Sequence, residues 1–213
     1  MAGSKKAYLL MAAIAAAFMG YVVYTYFIYD PEAARFLSHK ENLSHRFNLH
    51  SWLTVMKLHV GFACVATVTG LVNFSTAFLQ KYRKLHRWNG YVYAASVLVV
   101  IVTSGYMAPH ATGGKVTSIA FNSLNILWAV ITLIAILKIR KKQVDSHRRW
   151  MIRSFAFVFT NMSIHLLTAL LHQGIGLDYT SSYTIGVYGS IVLLLLAAEL
   201  VIRTVPVNAR PKI

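Results

Sequence analysis

Residues 117–138, TSIAFNSLNILWAVITLIAILK, contain no acidic residue and one base, Lys138, at their end. A membrane-crossing helix needs about 20 mainly apolar residues to bridge roughly 30 Å of hydrocarbon. This run meets that length with no charge in its interior. It is not uniformly apolar, however. Ser118, Asn122, Asn125, Ala129 and Thr132 recur at helical spacing, which aligns them along one face. Lipid penalises such a polar stripe, whereas a neighbouring helix can satisfy it. The stretch therefore specifies both a membrane span and the need for partners around it.

Working outward, five further stretches have the same character: 7–28, 52–79, 88–108, 149–171 and 184–203. The breaks fall at Asp30-Pro31, Lys81 to Lys84, Pro109 with Gly113-Gly114, Lys138 to Arg149, and Gly174 to Ser182. Each carries turn or charge signals that a lipid-exposed helix could not hide. No repeat of fixed period and no long linker divides the chain. The expected fold is all-α, a six-span helical membrane bundle forming one domain over 1–213. Spans two to five, 52–171, are expected to form a polar-lined four-helix core, with 7–28 and 184–203 at the periphery. The first span follows Lys5-Lys6 but runs on through Tyr21, Tyr24, Tyr26 and Phe27 with no small-x-small cleavage site. It reads as a retained anchor rather than a signal peptide.

The composition agrees. The chain is 57% hydrophobic and 13% charged, with a mean hydropathy of +0.55, against about a quarter charged in soluble domains. A net charge of +15 would suggest nucleic acid if the bases formed one face. They gather at the ends of apolar runs instead, so the expected partner is a bilayer with anionic headgroups and not nucleic acid. Sixteen of the 21 Lys and Arg fall on one side of the six-span arrangement; Arg35, Lys40, Arg46, Lys57 and Lys115 fall on the other. That bias places both termini in the cytoplasm of a bacterium, with the chain in the inner membrane. Trp52, Trp88 and Trp150 lie at span ends, where indoles favour the interface. The single cysteine, Cys64, excludes a disulfide framework and a CxxC motif and reads as helix packing. No G-x-S-x-G, Walker A or H-E-x-x-H pattern occurs, so the chain lacks those hydrolase and nucleotide-binding signatures.

Chemistry is then sought among the intramembrane polar groups. His59, Ala63, Ala66, Gly70 and Asn73 form a narrow face on the second span, and Ser154, Asn161, His165, Thr168 and His172 form a face on the fifth. His59 lies seven residues after Trp52, and His165 seven before His172. At about 1.5 Å rise per residue, both imidazoles sit roughly 10 Å below the outer surface. Two histidines at one depth on different helices are what axial ligation of haem b requires. A small metal site of His59 and His165 with His172 or His110 uses the same placement. Plain hydrogen bonding between helices is the third reading.

A second set lies at the inner end. His86-Arg87 opens the third span and His147-Arg148-Arg149 the fifth; these can ligate a metal, bind an anion or anchor headgroups. Arg153 lies one turn deeper, and Glu199, the one carboxylate well inside an apolar run, is its natural counter-charge. Lys57 reads as snorkelling to headgroups. The loop histidines His39, His45 and His50 match no zinc-finger spacing and read as solvated.

These residues carry a resemblance. His59 with Gly70, Leu85-His86-Arg87 with Gly90 and Tyr93, Gly113-Gly114 with Phe121 and Trp128, and above all the run His147-Arg148-Arg149-Trp150-Met151-Ile152-Arg153-Ser154 resemble the bacterial membrane-protein family catalogued as domain of unknown function 2306. The match covers roughly residues 55 to 170. It implies a multi-helix membrane fold and brings no established reaction. The layout is also similar to the four-helix cores of di-haem cytochrome b561-type proteins. That similarity implies His59 with His165 near one face and His86 with His147 near the other. Two functions follow as expectations. One is a b-type haem protein passing electrons between a quinone or cytoplasmic redox partner and a periplasmic acceptor. The other is a non-enzymatic, transporter-like or assembly protein with a polar hydrogen-bonded interior that includes Asn122, Asn125, Asn161, Arg153 and Glu199.

Overall fold

A computed structural model describes residues 2–38 and 48–204 of the chain. His39 and His45, Lys40 and Arg46 of the same loop, and Arg210 and Lys212 lie outside the described residues. Among those described, every regular element is helical. Six helices are long and apolar enough to cross a membrane: Lys6–Tyr29, Leu49–Phe74, Arg83–His110, Gly114–Arg140, Val144–Ile175 and Tyr179–Thr204, here spans one to six. The all-α, six-span architecture read from the sequence is the one observed.

The ends of the spans depend on capping chemistry that hydropathy does not register. The second span stops at Phe74 rather than continuing to 79. Ser75 turns extended, and its Oγ accepts from the Phe78 backbone N–H at 3.3 Å, starting a separate short helix, Thr76–Lys81. A serine cap is a helix-start signal, and it overrides an apolar run that continues across it. At the third break, Gly113 and Gly114 take φ of 85° and 63°. A Cβ on Gly113 would run into the hydroxyls of Thr117 and Thr184. Those hydroxyls bond each other at 2.8 Å, tying the start of span four to span six.

Span five is not one continuous α-helix. It runs Val144–Ala156, turns tightly as a 3-10 segment over Phe157–Phe159, continues as Thr160–Ala169 and ends in a π-helical turn, Leu170–Ile175. The Thr160 hydroxyl donates to the Phe157 carbonyl at 2.7 Å. Span one also ends in a π-helical turn, Tyr24–Tyr29. Such interruptions frequently mark functional sites.

Spans two and three lie along each other, as do four and the first half of five, and six and the second half of five. The central core joins Ala66, Tyr93, Val97, Val100, Trp128 and Phe155 from spans two to five. Ser154 sits in its middle. Its Oγ is 2.8 Å from Tyr93 Oη, 2.8 Å from Thr132 Oγ1 and 3.2 Å from Trp128 Nε1. Gly70 completes this core by absence: a Cβ there would overlap the Phe155 ring. Spans five and six meet through small residues, with Ser182, Gly186 and Ser190 buried. A Cβ on Gly186 would approach Thr168 Oγ1 to 2.9 Å and the Ile164 carbonyl to 3.2 Å. Small side chains allow such close backbone approach in membranes. Span one packs mainly on span two, and Tyr8 donates to the Leu71 carbonyl at 3.0 Å. Trp52, expected at the interface, is only 2% exposed and packs with Ala33 and Met56.

Candidate functional site: an intramembrane cavity

All six spans contribute to the wall of a cavity of about 220 Å³. It runs along span two from Trp52 to Thr67 and is bordered at its mid-depth by the 3-10 turn Phe157–Phe159. At about 1.5 Å per residue that is roughly 20 Å of bilayer depth. The wall is mostly apolar and aromatic, with few polar side chains among the described residues. His59, Asn125 and Asn161 are the ones the sequence reading had selected.

The state of His59 follows from its neighbour. His59 Nδ1 lies 3.0 Å from Thr103 Oγ1. The Thr103 hydroxyl has one proton, and it is directed to the Val99 carbonyl at 2.7 Å and the Val100 carbonyl at 3.0 Å. Toward His59 the threonine oxygen can therefore only accept. That arrangement favours the proton of a neutral imidazole on Nδ1, with the lone pair on Nε2. A histidine so arranged offers Nε2 as a hydrogen-bond acceptor or a metal ligand. The sequence reading selected His59; it missed Thr103, which carries no separate signal among the threonines of apolar helices.

Asn125 is 6% exposed, and its Nδ2 has no hydrogen-bond partner. An unpaired buried amide donor is costly. Phe121 and Trp128 flank it one turn away on either side of the same helix face, and both also line the cavity. Asn122, which the same stripe had included, is exposed outside it. Asn161 reaches the cavity from its open side.

The remaining candidates lie elsewhere. His165 is partly buried one turn beyond Asn161 and is not among the residues lining the cavity. His172 is exposed; its Nδ1 donates to the Leu177 carbonyl at 2.7 Å and its ring meets Tyr179 edge-on. Among the described residues, no three of His, Cys, Asp and Glu gather as metal ligands. At the other end, His147 Nδ1 donates to the Ala135 carbonyl at 2.8 Å. His86 lies near enough to His147 for their charges to interact, and its Nδ1 is buried without a partner. Arg153 Nε meets Glu199 Oε1 at 2.5 Å, with the guanidinium stacked 4.6 Å from the Trp150 ring centre. The charge pair expected from the sequence is present and ties spans five and six together.

A family model described as Predicted membrane protein (DUF2306) matches residues 56–202. The chain belongs to that family. No curated protein and no solved structure matches it. The DUF2306 region takes in span two from Met56 onward and nearly all of spans three to six, so it supplies most of the cavity wall. The wall from span one, including Phe18, Val22 and Tyr26, lies outside the DUF2306 match. Within DUF2306, three polar residues of the run from His147 to Ser154 bond neighbouring helices. His147 bonds span four, Arg153 bonds span six, and Ser154 joins spans three, four and five.

Proposed function

We propose that this membrane protein binds a lipid-soluble small molecule inside the bilayer, in the cavity walled by its six spans. One observation carries the reading: a largely apolar and aromatic cavity inside the spans is lined by a small set of polar side chains, among them His59, whose Nδ1 is engaged by Thr103, and Asn125. Ligand sites are typically apolar pockets with a small number of placed polar groups. Elsewhere in the interior two amides close on each other between helices, Asn73 with Asn89 at 2.8 Å. The basic residues support both termini on the cytoplasmic side of a bacterial inner membrane.

The test is to purify the protein in native-lipid nanodiscs and extract bound molecules for mass spectrometry. A lipid-soluble compound at near one-to-one ratio is expected, and it should be lost in Ala63→Phe, which fills the cavity. Finding only bulk phospholipid in both proteins would reject the reading.

A second reading, haem b on His59, draws on the same lone pair, since an axial imidazole commonly donates its other N–H to a protein acceptor. The four-helix haem layout needs two axial histidines, and the second one it calls for, His165, does not line the cavity. Protein from haem-replete cells with a Soret band that shifts on dithionite reduction, and that His59→Ala abolishes, would favour the haem reading and electron transfer to a quinone or redox partner. Colourless protein would remove it.

A further inference from the structure

This inference rests on the binding reading above and names the class of molecule the cavity takes. We infer that the ligand is a hydrophobic hydroquinone, a planar ring with hydroxyl groups and an alkyl or prenyl tail, and that a ring hydroxyl donates to His59 Nε2. Three features converge on it.

The first is the polarity at His59. Because Thr103 passes its proton to the Val99 and Val100 carbonyls, His59 must give its own N–H to Thr103. The cavity-facing nitrogen of a neutral imidazole is then an acceptor. It selects ligands carrying an O–H or N–H and gives nothing to a ketone or an ester.

The second is the amide of Asn125, which lines the same cavity. Its Nδ2 is buried without a partner, and an amide carries both a donor and an acceptor. A hydroxyl suits it in either orientation, because a hydroxyl both donates and accepts.

The third is the shape of the surroundings. Phe121 and Trp128 bracket Asn125 on span four, and Phe157 lies against Trp128 with ring centres 6.1 Å apart. Tyr183 stands beyond Phe121 with ring centres 6.5 Å apart. Aromatic walls of this kind favour a planar ring through offset and edge contacts. The apolar stretch of the wall along Val60 and Ala63 provides the path for a tail.

The experiment titrates 2-decyl-1,4-benzohydroquinone, kept reduced, into purified protein in phosphatidylcholine nanodiscs. Decylbenzene, which has the same body without hydroxyls, is the control. Trp52 and Trp128 line the cavity, so binding reads as a saturable change in tryptophan fluorescence. The hydroquinone is expected to bind at least roughly tenfold more tightly than decylbenzene, a difference on the scale of one good hydrogen bond. Asn125→Leu and His59→Phe should each bring the hydroquinone to the level of decylbenzene. Thr103→Val, outside the cavity wall, should weaken the hydroquinone alone, and in part, because the Val100 carbonyl still accepts from the His59 ring, and Thr103→Ser should restore it. Equal affinity for the two probes, or hydroquinone binding indifferent to Thr103→Val, overturns the inference while leaving a lipophilic binding site standing. No saturable change with either probe overturns both.

Discussion

Arg153 and Glu199 form a side-on ion pair, Nε to Oε1 at 2.5 Å, between the fifth and sixth spans. The guanidinium is held from the other side by the Trp150 ring, 4.6 Å to its centre. Neither charge would be tolerated alone at that depth. Glu199→Gln is expected to lower stability by about 2 kcal/mol, the cost of weakening a charged hydrogen bond and stranding its partner. Exchanging the two residues, Arg153→Glu with Glu199→Arg, should recover part of that loss. Unfolding titrations in detergent measure both.

Ser154 offers a sharper contrast between two hydroxyl deletions. Ser154→Ala removes three bonds that join spans three, four and five. At about 0.6 kcal/mol for each interhelical bond in a membrane protein, the loss should be about 2 kcal/mol. Tyr93→Phe removes one of the three and should cost about a third as much. Equal costs would mean that Tyr93 carries the contact and Ser154 merely fits.

The glycine at position 70 is tested by overpacking. Gly70→Ala places a methyl group in the Phe155 ring and should destabilise by about 1–3 kcal/mol. In a Phe155→Leu background, where the ring is gone, the same substitution should cost less than half of that. A double-mutant cycle of thermal unfolding midpoints reads the coupling.

Asp178 caps the sixth span from outside the membrane, its Oδ2 accepting from the Ser181 backbone N–H at 2.8 Å. That bond, with the Ser181 side chain adding to it, holds the carboxyl below its ordinary value of 3.8. The sign follows from the charged form being the one stabilised. The cap is whole above the ordinary value and is lost as pH falls through the lower folded value. Hydrogen-exchange protection of residues 181–183 should be flat from pH 7 to about 5 and fall below about 4. In Asp178→Ala it should be low throughout.

The spans and the ion pair were readable because each follows from a one-dimensional constraint. An apolar run must be as long as the bilayer is thick, and one intramembrane carboxylate has few partners to choose from. Rotation about the helix axis was not readable. Asn122 and Asn125 belong to the same stripe, yet packing buries Asn125 and leaves Asn122 exposed. His59 and His165 were matched in depth from the sequence, but only His59 lines the cavity. A stripe one or two residues wide leaves the facing of a helix open within tens of degrees, and the neighbours settle the rest. The small-residue seam of Ser182, Gly186 and Ser190 on the sixth span could have been found by the same spacing rule that picked out the second span. The break at Ser75 needed only its N-cap to be read. The proton position on His59 was beyond reach, because it depends on which carbonyls a threonine on another span happens to meet.

The first span stands outside the family match yet closes one side of the cavity with Phe18, Val22 and Tyr26. The enclosure is thus completed by a helix that the family match does not include, joined to the rest through the Tyr8 bond to the Leu71 carbonyl. Changing Phe18 or Val22 would alter the girth of an admissible guest while leaving the joints at Ser154 and Arg153 in place.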